Sequence, residues 1–395
     1  MTLTHEPVRD EDINYVFSAV GECIPEKVVP NSYFLKHKFY LRNGKPDAKP
    51  IERILDKFEE RTGITSRRYA RDDQVASDLG AEALDTACKS SGIELESIDV
   101  VIGATDYFDI KYGESFIDTV PGTARKVLSK LGYDHSKGKI HALDMVGGCP
   151  GWLESVMSGG RRLRLDKNVN RVAVVAMETL SRISDPHDKD SLIYSDGAGA
   201  VIIDAVRGTE REGIIAYDSE TITHFEASRR SVFRDITDTA EFLTMGPSNN
   251  PEYIHKHRKF LKMFGPNVAE LAEEHVPEIL AAVLEEAGWT PKEIALFLLH
   301  QANRDLDHRM ACRAGVLEED LGIRVPITIN YLGNPSVATI PTLIATIAKK
   351  ELTSDCGCTY SFKPRDKLAI ASVGASMIVD AMTYQVPAQG LPYRY

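Results

Sequence analysis

The apolar positions of the chain fall into segments that recur. Residues 81–105 read AEALDTACKSSGIELESIDVVIGAT and residues 277–301 read PEILAAVLEEAGWTPKEIALFLLHQ, and the two align without a gap. In each, apolar residues first repeat at helical spacing and a glycine follows the last of them, Gly92 or Gly288. A polar connector comes next, and an isoleucine then opens an apolar strand, 98–102 (interrupted only by Asp99) or 294–299. Glycine past the last periodic residue is a helix stop. An apolar run of about five or six residues fits a strand covered on both faces. Each segment thus predicts a helix followed by a buried strand.

A second gap-free pair matches KIHALDMVGGC (139–149) to RVPITINYLGN (324–334). Both read as a strand ending in a glycine-containing elbow, and both lead into a helical stretch, 151–164 or 337–352. A third, weaker pair is RVAVVA (171–176) with KLAIAS (367–372). Three matches in the same order predict a duplicated α/β unit, with one half at 1–205 and the other at 206–395. Strands alternating with helices predict parallel-rich sheets covered by helices.

The repeats also point to chemistry, because ligands of open α/β sheets gather at the carboxyl ends of strands. His300 closes the strand of the first pair, while Cys149 and Asn334 occupy equivalent elbows in the second. A pseudo-twofold axis between the halves would bring the three onto one site. Cys149 precedes a predicted helix, whose N-terminal potential lowers a thiol's pKa. Its bland alternative is a small buried thiol at a tight turn. His300 and Asn334 are either a structural histidine and a turn residue, or two neutral donors to a thioester oxygen, a contribution worth several kcal/mol of barrier. A thiolate with two such donors suits acyl transfer to cysteine followed by stabilisation of a thioester enolate. Amide hydrolysis would more often use the histidine as base.

Composition narrows the class. The 395 residues are 43% apolar and 27% charged, as in a globular protein. Lys plus Arg number 47 and Asp plus Glu 58, a net −11 that lacks the footprint of a nucleic-acid binder. No stretch reaches the roughly 18 apolar residues of a membrane span. No basic segment followed by an apolar run marks a signal peptide, so a cytoplasmic location is expected. The six cysteines are too scattered for a disulfide framework, and Cys356-Gly-Cys358 reads as a turn with two bystander thiols.

Other segments carry a specific resemblance. FSAVGECIPEKVVPN (17–31), ERTGITSRR (60–68), GGCPG around Cys149, ETLSR (178–182), SDGAGA (195–200), HQAN (300–303) and GNPSVATIP (333–341) run nearly end to end. With them the chain resembles the β-ketoacyl-acyl-carrier-protein synthase III enzymes of the thiolase superfamily. The resemblance implies a five-layered αβαβα fold built from two βαβαβαββ halves, a homodimer, and Cys149, His300 and Asn334 as the reactive group. It implies an oxyanion hole for the acyl-enzyme from the backbone N–H groups of Cys149 and Ala375. Acyl-CoA or acyl-carrier protein would load the cysteine, with phosphopantetheine arriving on the substrate and no separate cofactor or metal. Glu178 and Asp196 match family positions and read as buried carboxylates that fix loops.

Three departures stand out. Pro335 replaces the residue that usually follows the asparagine, stiffening the elbow without removing the amide. Extra length around 32–50, 108–119, 224–259 and the C-terminal tail would reshape substrate choice. Glu154 stands on the nucleophile's helix where the family usually has an uncharged residue. It is either paired with an arginine or the partner subunit, or a base for a β-ketoacyl second substrate or a ring closure, as in the ketosynthases of bacterial dialkylresorcinol and stilbene biosynthesis. Arg67, Arg68, Arg161, Arg162 and Arg164 are candidate contacts for an acidic carrier protein or solvated helix faces, and Arg229, Arg230 and the 255–262 run candidate borders of an entrance. The rival functions are acyl transfer from Cys149 to oxygen or nitrogen, and a non-catalytic partner of a condensing enzyme.

Overall fold

The computed structural model describes residues 13–391 apart from 115, 224–241, 254–258 and 355–356. Arg229, Arg230, Cys356 and residues 255–258 of the basic 255–262 run lie outside the described residues.

The first half contributes strands β1 (Ile13–Cys23), β2 (Val100–Ala104), β3 (His141–Met145), β4 (Arg171–Thr179) and β5 (Asp196–Arg207), with helices α1 (Ala76–Ser91), α2 (Thr123–Lys130) and α3 (Gly151–Leu165). The second contributes β6 (Gly213–Thr221), β7 (Ile294–Leu299), β8 (Lys367–Val373) and β9 (Ile378–Gln385), with α4 (Gly265–Ala287), α5 (Arg304–Arg313) and α6 (Thr339–Ala348). The predicted helix stops hold: α1 ends on Gly92 at φ 66° and α4 on Gly288 at φ 72°, both left-handed.

The strands run β7-β8-β9-β6-β1-β5-β4-β2-β3 across one nine-stranded sheet. β2 lies parallel to β3 and β4, whereas β5 is antiparallel to β4 and β1. The second half repeats the pattern, with β7 and β8 parallel and β9 antiparallel to β8 and β6. The halves meet at one parallel bridge, Tyr15 to Gly213.

Side-chain alternation turns the sheet into layers. On β4, Val172, Val174 and Ala176 face one core, and Ala173, Val175 and Met177 face another. The first core is central. It joins both halves of the sheet to α3 (Trp152, Leu153, Val156) and α6 (Ile340, Leu343, Ile344). α1 and α2 cover the outer face of the first half, and α4 and α5 that of the second. The result is the expected five-layered αβαβα arrangement. Strands buried on both faces explain the apolar runs.

One element differs from expectation. The RVPITINYLGN segment forms no strand; helical turns Leu321–Arg324 and Ile329–Leu332 flank an extended stretch. Pro326 cannot donate to a ladder, and the Gln301 side chain takes the strand's place. Its Oε1 accepts from Thr328 N–H at 2.8 Å, and its Nε2 reaches the carbonyls of Leu299 at 3.0 Å and Pro326 at 3.4 Å.

Part of the inserted region is a two-stranded ribbon, Leu243–Gly246 paired with Phe260–Met263. Lys262 pins it to the first half. Its ammonium, 9% exposed, reaches Asp185 Oδ2 at 2.5 Å, Asn249 Oδ1 at 2.8 Å and Asp188 Oδ2 at 3.2 Å. This lysine of the basic run is therefore a buried anchor and not an entrance residue. Among the described residues no helix is long and apolar enough to cross a membrane.

Candidate active site

Three chain reversals converge on a cavity of about 580 Å³ lined by Cys149, His300 and Asn334. The first follows β3. Gly148 turns the elbow at φ 68°, where an added Cβ would stand 2.5 Å from Ser376 Oγ, so only glycine fits. Its N–H donates to Asp106 Oδ1 at 2.8 Å, and α3 begins two residues after Cys149.

The second reversal follows β7. His300 N–H donates to the carbonyl of Ala371 on β8 at 2.9 Å, and the ring Nδ1 lies 2.7 Å from Thr339 Oγ1 at the start of α6. With Nδ1 so engaged, Nε2 is left for the cavity. Burial holds the imidazole down at about 4, so the ring is neutral near pH 7.

The third carries Asn334. Gly333 has φ 72°, and a Cβ there would meet Arg67 Cβ at 2.6 Å and Ser195 Cβ at 2.9 Å. Backbone bonds strap Asn334 to the neighbouring segment, N–H to Ile193 carbonyl and carbonyl from Ser195 N–H, both 3.0 Å. Its Oδ1 accepts from Ser336 N–H at 2.8 Å, which turns the amide NH₂ away as the free donor end. Pro335 leaves this geometry intact.

The thiol differs from expectation. Burial pushes Cys149 up to about 12 and the Asp106 and Glu178 carboxyls add to the shift, against hydrogen bonds from Ser336 and from the Cys149 backbone that lower it. Desolvation outweighs the helix N-terminus, and the resting thiol carries its proton.

Two family models and several relatives match the chain. Residues 143–222 match the family model for 3-oxoacyl-[acyl-carrier-protein] synthase III, and residues 284–386 match the model for the C-terminal part of the same enzymes. A β-ketoacyl-[acyl-carrier-protein] synthase III of Staphylococcus aureus strain JH1 is 28% identical over 376 residues, 94% of this chain and 98% of that protein. Both halves of the chain are thus similar to the synthase III enzymes. A solved 3-oxoacyl-[acyl-carrier-protein] synthase III from Aquifex aeolicus VF5 shares the fold at TM-score 0.70 and 22% identity, covering 94% of this chain and all of that one. The priming β-ketosynthase of the R1128 polyketide pathway does so at TM-score 0.73 and 21% identity, covering 95% and 97%.

Ala375 lines the same cavity. A Cβ on its neighbour Gly374 would stand 3.0 Å from the nitrogen of Cys149, so the 374–375 turn lies directly over the Cys149 N–H. Glu154 is different. It does not line the cavity; its Oε1 accepts from Ser219 Oγ on β6 at 2.9 Å, beside Tyr217 and Asp380. The helix aims it at β6 and β9, away from Cys149, which counts against a base acting on substrate at this site.

Glu178 and Asp196 fix loops. Glu178 Oε1 accepts from Asp106 N–H and from Thr105 Oγ, and Asp196 holds Ala70 N–H at 2.8 Å and both Ser181 donors. Arg67 is fully buried over the rings of Phe34 and Phe58, with its guanidinium on Asn31 Oδ1 and the Val29 carbonyl, so it cannot meet a carrier protein. Asp106 and Ser336 also line the cavity, and sequence reasoning passed over both. Asp106 carries a signal in hindsight: it follows β2, the strand equivalent to the one that His300 closes.

Proposed function

We propose that this chain forms a carbon–carbon bond by Claisen-type condensation with Cys149, His300 and Asn334 as its reactive group. An acyl-CoA or acyl-carrier protein transfers its acyl chain to Cys149. A second thioester, malonyl or β-ketoacyl, then becomes an enolate held by His300 and Asn334 and attacks the acyl-enzyme. The observation that carries this reading is the convergence of one thiol and two neutral donors on a single cavity. A neutral imidazole donates to an enolate oxygen without surrendering its proton to it.

The backbone N–H groups of Cys149 and Ala375 are read as the donors to the acyl-enzyme's oxyanion. Leu180, Ile193, Leu243, Leu261, Val268 and Leu306 make the far wall apolar, which suits an acyl chain. Phosphopantetheine would enter with each substrate, and no further cofactor is needed. β3 ends the sheet with an open edge and runs into exposed Val146, and a second copy of the chain is the occupant that suits it. Acyl transfer to oxygen or nitrogen would have no use for Asn334, and a non-catalytic partner would have none for Cys149.

Intact-mass measurement after exposure to acyl-CoA should show one acyl group on the wild type and none on Cys149→Ala. Product analysis with malonyl- and with β-ketoacyl-carrier protein then identifies the second substrate. A wild-type chain that never gains an acyl group would overturn the reading.

A further inference from the structure

Cys149 has a hydroxyl for a neighbour, and that hydroxyl has a carboxylate behind it. Ser336 Oγ lies 3.3 Å from Cys149 Sγ and 3.1 Å from Asp106 Oδ2. The three residues come from separate places: the elbow before α3, the turn before α6, and the end of β2. Their convergence is fixed from both sides. Asp106 Oδ1 is held by Gly148 N–H at 2.8 Å, one residue from the nucleophile, and Ser336 is held at φ 50° by the Asn334 side chain. A non-glycine residue at positive φ is strained, and such strain is found where function over-determines the geometry.

We propose that Ser336 and Asp106 form a proton relay from the Cys149 thiol. The inference rests on the acyl-loading step of the function proposed above. As Sγ attacks the acyl thioester, its proton passes to Ser336 Oγ while the Ser336 proton passes to Asp106 Oδ2. The bond from Sγ to the acyl carbon forms and the bond from that carbon to the phosphopantetheine sulfur breaks. The departing thiolate takes up one proton, Asp106 gives up the one it received, and no net proton is gained or lost. Ser336 touches the reacting sulfur, and Asp106 acts through it.

The surroundings favour this division of labour. The thiol is protonated at rest, so loading needs an acceptor, and the neutral imidazole of His300 is already committed on one side to Thr339. Burial raises the Asp106 carboxyl toward values at which it can accept a proton, while the Ser336 hydroxyl and the Gly147 and Gly148 N–H groups keep its anion supported. The titratable groups that face it are Glu178 on β4, Tyr107 beside it in the chain and Cys149 on the elbow, with Arg61, Tyr194 and His300 on the same cavity.

The test is the rate of single-turnover Cys149 acylation by acyl-CoA as a function of pH, in the wild type, Asp106→Asn, Ser336→Ala and the double variant. Each single variant should load about 10²-fold more slowly near pH 7, and the double variant no more slowly than the worse single one. The deficit should shrink as pH rises toward direct ionisation of the thiol, and Asp106→Glu should recover part of the rate. A deficit equal at every pH, or multiplicative in the double variant, means a structural role and overturns the relay. So do variants that load as fast as the wild type. A variant that does not fold leaves the wild type to decide, by its acylation rate in mixtures of H₂O and D₂O: curvature from two moving protons supports the relay and a straight line overturns it. A wild type that never acylates overturns the condensing reading itself, which is a separate outcome.

Discussion

The Nδ1 of His300 lies 2.7 Å from the Oγ1 of Thr339, the first residue of α6. With the hydroxyl donating, the imidazole carries its proton on Nε2 and presents a donor to the cavity. A hydroxyl from the second half thus sets the tautomer of a histidine that ends a strand of the same half. Thr339→Val keeps the shape and removes that donor. Condensation should fall about tenfold, less than loss of a direct oxyanion donor would cost. Acylation of Cys149, followed by intact mass, should be unchanged. A variant that condenses at the wild-type rate would separate Thr339 from the chemistry.

Asn334 is held by its backbone on both sides and by Ser336 N–H on its carbonyl oxygen, so its amide nitrogen needs no further help to stay aimed. Asn334→Ala should lower condensation by about 10²–10³-fold in kcat. The acyl-enzyme should still form and then persist, visible as a stable mass adduct. Equal loss of loading and condensation would mean that the elbow, and not the amide, was damaged.

The ribbon that carries Leu243, Leu261 and Met263 to the cavity wall is anchored by Lys262 on Asp185 and Asp188. Removing one partner of a buried ion pair costs about 3–5 kcal/mol. Lys262→Met should therefore lower the thermal midpoint clearly and loosen acyl-chain selection, read as a flatter profile of acylation rates across chain lengths. The Asp185 carboxyl is held below its usual range despite burial, chiefly by the Lys262 hydrogen bond. Its stabilising contribution is present above the unfolded-state value near 4 and is lost as pH falls through the lower folded value. Wild type and Lys262→Met should accordingly converge in stability below about pH 4, as measured by denaturant titration.

Particular residues show what was legible along the chain. Gly92 and Gly288 marked helix ends because the left-handed conformation is nearly theirs alone, and the runs on β2, β4 and β7 were strands because both faces are covered. That Cys149, His300 and Asn334 share one cavity was legible because strand ends and elbows recur in register. The missing strand near Pro326 was hidden: the Gln301 side chain replaces its ladder bonds, and such a substitution has no periodicity. Arg67 looked like a surface cation because nothing local to it announces Phe34, Phe58 and Asn31. Asp106 and Ser336 stand 230 residues apart and meet only in the folded chain. Glu154 was placed on the right helix, but its direction depends on how that helix is rotated against β6 and β9.

That rotation has a consequence for pH. Asp380 on β9 is fully buried beside Tyr217, Ser219 and Glu154, and its carboxyl is raised to about 7, chiefly by burial and then by the Glu154 charge. The unfolded chain releases this proton near pH 4 while the folded chain keeps it to about 7. The native state therefore binds more protons between those values, and stability falls as pH rises through that window. The loss is bounded by about 1.4 kcal/mol for each pH unit of the window. Asp380→Asn removes the titration and keeps the volume. It should match the wild type near pH 4 and exceed it above pH 7 in urea titrations, and Glu154→Gln should narrow the wild type's loss by relieving one source of the shift. If wild type and Asp380→Asn lose stability in parallel from pH 5 to pH 8, the Asp380 carboxyl is not the group that titrates.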